Sequence, residues 1–220
     1  RSTYYTRCVQ TCQSVVAGLN MGNNNSSCSV TIFVENPKEL NELTIPNLGG
    51  LCKNKYPGAF NISKEYGKSQ LRKIRALSYT FNPLFNYYKK SLHNNDDKLI
   101  MKTFDFLKTH DSHQFKQPQT LSSSIDQLYS LVSHNYWNYF HATSHKLSAP
   151  LIENVIDDMK SNTTSTANSA KIYLYSGHDT SVMAIISAVY KIFDAETIFN
   201  IKDWPDYNSY VSLELWCDKN

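Results

Sequence analysis

Two pairs of residues in this 220-residue chain could do chemistry together. His178 and Asp179 follow the apolar run of "KIYLYSGHDTSV", and Arg1 and Arg7 open the chain in "RSTYYTRCVQ". An imidazole can accept or hold a proton, a carboxyl can donate one, and a guanidinium grips the oxygens of an anion with paired N–H donors. If residues 172–175 form a central strand and the chain from Ser181 onward is a helix, His178 and Asp179 lie at the strand's carboxyl end. Ligands of open α/β sheets gather there, and the helix amino terminus favours an anion such as phosphate. A structural reading competes, with Asp179 capping the helix and His178 a satisfied turn residue. Arg1 and Arg7 begin an otherwise apolar helix, where positive charge opposes the macrodipole unless an anion or acidic partner is near. Arg1 is read as a phosphate clamp, and Arg7 as a salt bridge or hydrogen bond fastening the helix to the sheet.

The elements that must position these residues follow from periodicity. Cys8, Val9, Cys12, Val15, Val16 and Leu19 have helical spacing, and "NMGNNNSS" breaks it. "SVTIFVEN", residues 29–36, is short and β-branched, hence a strand. Residues 37–119 are rich in Tyr, Lys and Asn, with helical patches at 63–76 and 98–108, and read as a mainly helical cap. Ile125, Leu128, Val132, Tyr136, Tyr139 and Phe140 mark a long amphipathic helix, and Ser148-Ala149-Pro150 opens another. After the polar loop "SNTTSTANSA" come the 171–176 strand, a helix carrying Val182, Ile185, Ile186 and Val189 on one face, and an alternating segment at 210–216. Strand, helix, strand implies an α/β fold: a central mixed, largely parallel sheet flanked by helices. Its core is residues 1–36 and 120–220, its strands are 29–35, 171–176 and 210–216, and 37–119 is the insertion.

Composition removes several function classes. A net charge of +3 with no run of Lys or Arg gives neither a nucleic-acid groove nor a polybasic membrane patch. With only 7 Gly there is no glycine-rich cofactor loop, and no apolar stretch approaches the roughly 18 residues of a membrane span. Cys8, Cys12, Cys28, Cys52 and Cys217 fit no zinc spacing, so no metal is assigned. Cys8 and Cys12, one helical turn apart, read as packing residues. Sequons at Asn24, Asn25, Asn61 and Asn162 are compatible with a secreted or luminal chain. The start at Arg1, with a motif already under way, reads as a piece of a longer polypeptide.

At these motifs the sequence resembles the histidine acid phosphatases, the larger branch of the histidine phosphatase superfamily. "RSTYYTR" is similar to the family's Arg-Ser-Thr motif with its following arginine, and "YSGHDTS" to its late Ser-(Ala/Gly)-His-Asp-Thr motif. "PDYNSYVSLELW" looks like its Pro-x-Tyr-x-Ser strand, and "LIENVIDDMK" like the helix before the late motif.

The resemblance implies a phosphoglycerate-mutase-like fold and two-step hydrolysis of phosphate monoesters through a phosphohistidine, with no cofactor or metal. Arg1 and His178 would bind the phosphoryl group, Asp179 would protonate the leaving oxygen, and Arg7 would keep a structural role. The compartment implied is secreted or lysosomal, and a homodimer is an open assembly. The family's nucleophile lies in an Arg-His-Gly-x-Arg-x-Pro motif that does not occur in this chain. His93, His110, His113, His134, His141 and His145 lack that context and read as surface or helix residues. Tyr4 and Thr6 stand where the family commonly has acidic residues. The expectation is a fragment of an acid phosphatase, inactive without its nucleophile. The alternative is a non-catalytic phosphate-ester-binding or interaction protein on the same fold.

Overall fold

A computed structural model describes residues 1–21, 31–35, 61, 65, 68, 72, 81–88, 96–117, 119–164, 172–193 and 203–216. Its helices are α1 (Thr6–Met21), α2 (Asn82–Tyr88), α3 (Asp96–Ser112), α4 (Ser122–Leu147), α5 (Ala149–Thr164) and α6 (Asp179–Phe193), with a 3₁₀ turn at Gln119–Leu121 before α4. The expected patch at 63–76 lies largely outside the described residues, as does the loop between α5 and residue 172.

Helix α4 forms because Ile125, Leu128, Val132, the partly buried Tyr136 and Phe140 recur at three- and four-residue spacing and line one stripe facing the core. At the start of α5, the Ser148 carbonyl accepts from the Ile152 amide at 2.9 Å, and Pro150 sits in the first turn, where its missing N–H costs nothing. Helix α6 is apolar along much of its length and packs chiefly on α4. Met183 and Ala184 of α6 and Leu128 and Val132 of α4 are sealed from solvent. Leu84 of α2 and Phe104 and Leu107 of α3 enter the same cluster, as does Trp204 from beyond α6. Each such fully buried aliphatic side chain contributes about 1.5–3 kcal/mol relative to exposure, so the α4–α6 seam is the main apolar anchor of the late motif.

The expected α/β architecture is not what forms: among the described residues there are helices and extended connections, but no strand and no sheet. Residues 31–35 and 172–176 run extended on either side of Ser2, yet each touches it through one isolated parallel bridge, Ser2 to Val34 and Ser2 to Ser176. Ser2 N donates to Phe33 O and Glu35 N to Ser2 O, both at 2.9 Å; Thr3 N donates to Ser176 O at 3.1 Å and Ser176 N to Arg1 O at 2.9 Å. A ladder needs consecutive pairs, and here pairing stops at one residue. Residues 210–216 are extended without a ladder, with Tyr210 and Trp216 each 83% exposed. The physical reason is burial. Strand preference measures how well a side chain fits a pleated, covered surface, and Phe33, Val34, Ile172 and Tyr173 are exposed, so β-branched content gives extended backbone without a partner face.

Candidate active site

The short extended segment before α6 is fixed from both sides. The backbone nitrogen of Arg1 donates to Leu174 O at 2.6 Å. The Ser176 hydroxyl donates to Cys8 O at 2.8 Å, and the Cys8 thiol donates to Gly177 O at 3.1 Å, a reciprocal clasp between α1 and the turn ahead of His178. On the other side the Tyr175 phenol donates to Asp158 Oδ2, and Asn154 Nδ2 of α5 donates to the Tyr175 oxygen at 2.7 Å. Burial, then the hydrogen bond to the Asp158 carboxylate, pushes the Tyr175 phenol up to about 12, so it remains a donor.

His178 is the cap of α6. Its carbonyl accepts from Ser181 N at 2.9 Å and Val182 N at 3.1 Å, while its own amide donates to Ser181 Oγ at 3.2 Å, the return half of a capping box. The Thr180 amide donates to Asp179 Oδ1 at 2.7 Å. The amides of His178, Thr180, Ser181 and Val182 are therefore committed to the chain itself.

The His178 ring is half-buried and meets Tyr5 edge-on, with ring centres 4.9 Å apart. Burial, and then the positive charge of Arg7, holds its pKa below the usual histidine value, against a smaller opposing pull from Asp179. The His178 Nδ1 is buried without a hydrogen-bond partner among the described residues. The Arg7 guanidinium lies 5.0 Å from the centre of the Tyr5 ring, and Tyr4 stacks on Tyr5 at 4.5 Å. A neutral imidazole beside a cation can receive an anion's hydrogen or, once protonated, grip it.

Asp179 is exposed, and both its oxygens accept a hydrogen bond: Oδ1 from Thr180 N and Oδ2 from Trp204 Nε1, each at 2.7 Å. Tyr136 of α4 lies near enough that burial, and then the Asp179 charge, raises its phenol above the ordinary value.

Among the residues singled out by sequence, His178 and Asp179 come together with Arg7, whose charge acts directly on the His178 ring. Arg1 is joined through its backbone to the segment leading into His178, and its side chain is exposed. Tyr5, Cys8 and Trp204 carry the local geometry and were not singled out for the site. Tyr5 and Cys8 lie inside or next to the quoted arginine motif, and Trp204 stands one residue before the quoted "PDYNSYVSLELW". A cavity of about 490 Å³ lined by Asp111, Gln117, Ser122, Asp126 and Tyr129 shares no residue with this neighbourhood. Among the described residues no group of three His, Cys, Asp or Glu could hold a metal ion, and no helix is long and apolar enough to cross a membrane.

The chain is 31% identical over 114 residues to Counting factor 60 of Dictyostelium discoideum, an alignment covering 49% of this chain and 24% of that protein, so the chain spans about a quarter of its relative's length. No solved structure matches. The profile of the histidine phosphatase superfamily (branch 2) matches residues 34–220, a range that includes His178, Asp179 and Trp204 but starts beyond Arg1 and Arg7. With most of its length matched, the chain belongs to the histidine phosphatase superfamily, branch 2.

Proposed function

We propose that the protein is an acid phosphatase, hydrolysing phosphate monoesters through a phosphohistidine, with the nucleophilic histidine supplied from outside these 220 residues. The observation that carries this reading is the adjacency of a half-buried His178, whose pKa burial and the Arg7 charge lower, and a doubly anchored, solvent-facing Asp179. A nucleophilic imidazole nitrogen attacks phosphorus, the ester P–O bond breaks with its electron pair going to the ester oxygen, and Asp179 gives that oxygen its proton. Water then attacks the phosphohistidine, its proton passing to the Asp179 carboxylate, and phosphate leaves. His178 and Arg1 hold phosphoryl oxygens in both steps, and Arg7 tunes the pocket. We place its work in a secreted or lysosomal setting, which the four sequons favour.

A second reading rests on the relative's name, which names no enzyme activity: a non-catalytic protein that binds phosphate esters or a partner on the same fold. Hydrolysis of 4-nitrophenyl phosphate at mildly acid pH, by this chain and by the full-length protein side by side, separates the two. Turnover confined to the full-length protein supports the first reading. No turnover by either, with retained phosphate binding, supports the second. Turnover with a trapped phosphohistidine in residues 1–220 alone would overturn the assignment of the nucleophile.

A further inference from the structure

Asp179 is exposed at the first turn of a helix, where a carboxylate on a short side chain would sample several rotamers, and a proton donor is useful only when held in one. Trp204 supplies the missing restraint. Its indole N–H donates to Asp179 Oδ2 at 2.7 Å while the Thr180 amide donates to Oδ1, which fixes the carboxyl plane and leaves each oxygen a second lone pair for the proton in flight.

The donor itself is rigid. Trp204 is buried, with its ring against Phe104 of α3 at 4.8 Å and Tyr136 of α4 at 5.1 Å. The backbone beside it is tied down as well. Trp137 Nε1 donates to Asp203 O at 2.9 Å, and Lys108 pairs with Asp206 at 3.5 Å. Such a placement is costly to use merely for packing, because an indole N–H at the core edge needs a partner, and here the partner is the carboxylate at the candidate site.

We propose that Trp204 is the positioning residue for the proton donor Asp179, holding it against the leaving oxygen; this rests on the phosphatase reading above. Its effect falls on esters that need protonation to depart. In the full-length protein, Trp204→Phe keeps the ring packing and removes the N–H. We expect about a ten-fold loss of kcat on an alkyl ester such as glycerol 2-phosphate, the size of one hydrogen bond to a charged group, with KM unchanged and at most about a two-fold loss on 4-nitrophenyl phosphate. Equal losses on both esters, or none on either, would overturn the role.

A second measurement does not depend on turnover or on Trp204→Phe folding. In protein labelled with ¹⁵N-tryptophan, the indole N–H resonance of Trp204 should move on Asp179→Asn, a change at an exposed position. A resonance that stays put overturns the contact. Absence of hydrolysis by the wild-type full-length protein, with the resonance still moving, would sink the phosphatase reading and the catalytic role with it, while leaving the contact standing.

Discussion

Tyr5 meets His178 edge to face, the ring planes at 83° and the centres 4.9 Å apart. Arg7 lies over the same Tyr5 ring, and the His178 pKa is lowered by burial first and by the Arg7 charge second. Arg7→Met should therefore raise the His178 midpoint toward the ordinary value of about 6.5, as followed by the ring proton resonances in an NMR titration. An unmoved midpoint would mean that the Arg7 charge is screened from the ring.

The same depression has a sign for stability. Between the lowered folded value and the ordinary one, the unfolded chain binds more protons than the folded chain, so stability is full above about pH 6.5 and falls as pH drops through that window. His178→Gln should flatten the dependence of the urea midpoint on pH in this range. Inorganic phosphate should restore part of the loss in the wild type, since a bound anion favours the charged ring.

Ser176→Ala removes the hydroxyl that donates to Cys8 O from a buried position and is expected to cost about 1 kcal/mol. Cys8→Ala loses the weaker thiol bond to Gly177 and a little buried volume, and should cost about as much. The two act on one clasp, so their combined effect in denaturant unfolding should differ from the sum by about 0.5 kcal/mol or more.

Leu128 of α4 and Met183 of α6 are both sealed from solvent in the cluster that carries the late motif. Each is expected to lose about 2–5 kcal/mol on substitution by alanine, measured by chemical denaturation. Loss in this range would confirm α4–α6 as the principal seam; losses below about 1 kcal/mol would show that the seam collapses freely around the gap.

The helices were legible in the sequence because their apolar residues repeat with the period of the element itself. The spacing of Ile125, Leu128, Val132 and Phe140 anticipates α4, and Ser148-Ala149-Pro150 anticipates the opening of α5. The expected sheet does not form among the described residues, because β-branched residues at 31–35 and 172–176 specify an extended backbone but say nothing of whether a neighbour will run alongside for more than one residue. The site divides the same way. His178 and Asp179 could be read as a local motif at a helix start. The contacts that give them character come from Tyr5, Arg7 and Trp204, and proximity between segments so distant is a tertiary outcome with no periodic signature.

The clasp around Gly177 also dictates an order of events in folding. Its bonds join residues separated by 168 to 173 positions, from Ser176 with Cys8 to Arg1 with Leu174. Contacts of such range are entropically expensive to form early, whereas the α4–α6 seam closes a much shorter length of chain. On the ribosome α1 emerges early and waits, because the turn ahead of His178 that it clasps is made 168 residues later. A chain ending before residue 172 would carry α4 without α6, its chief packing partner, and without the late motif, so the apolar seam and the candidate site mature together.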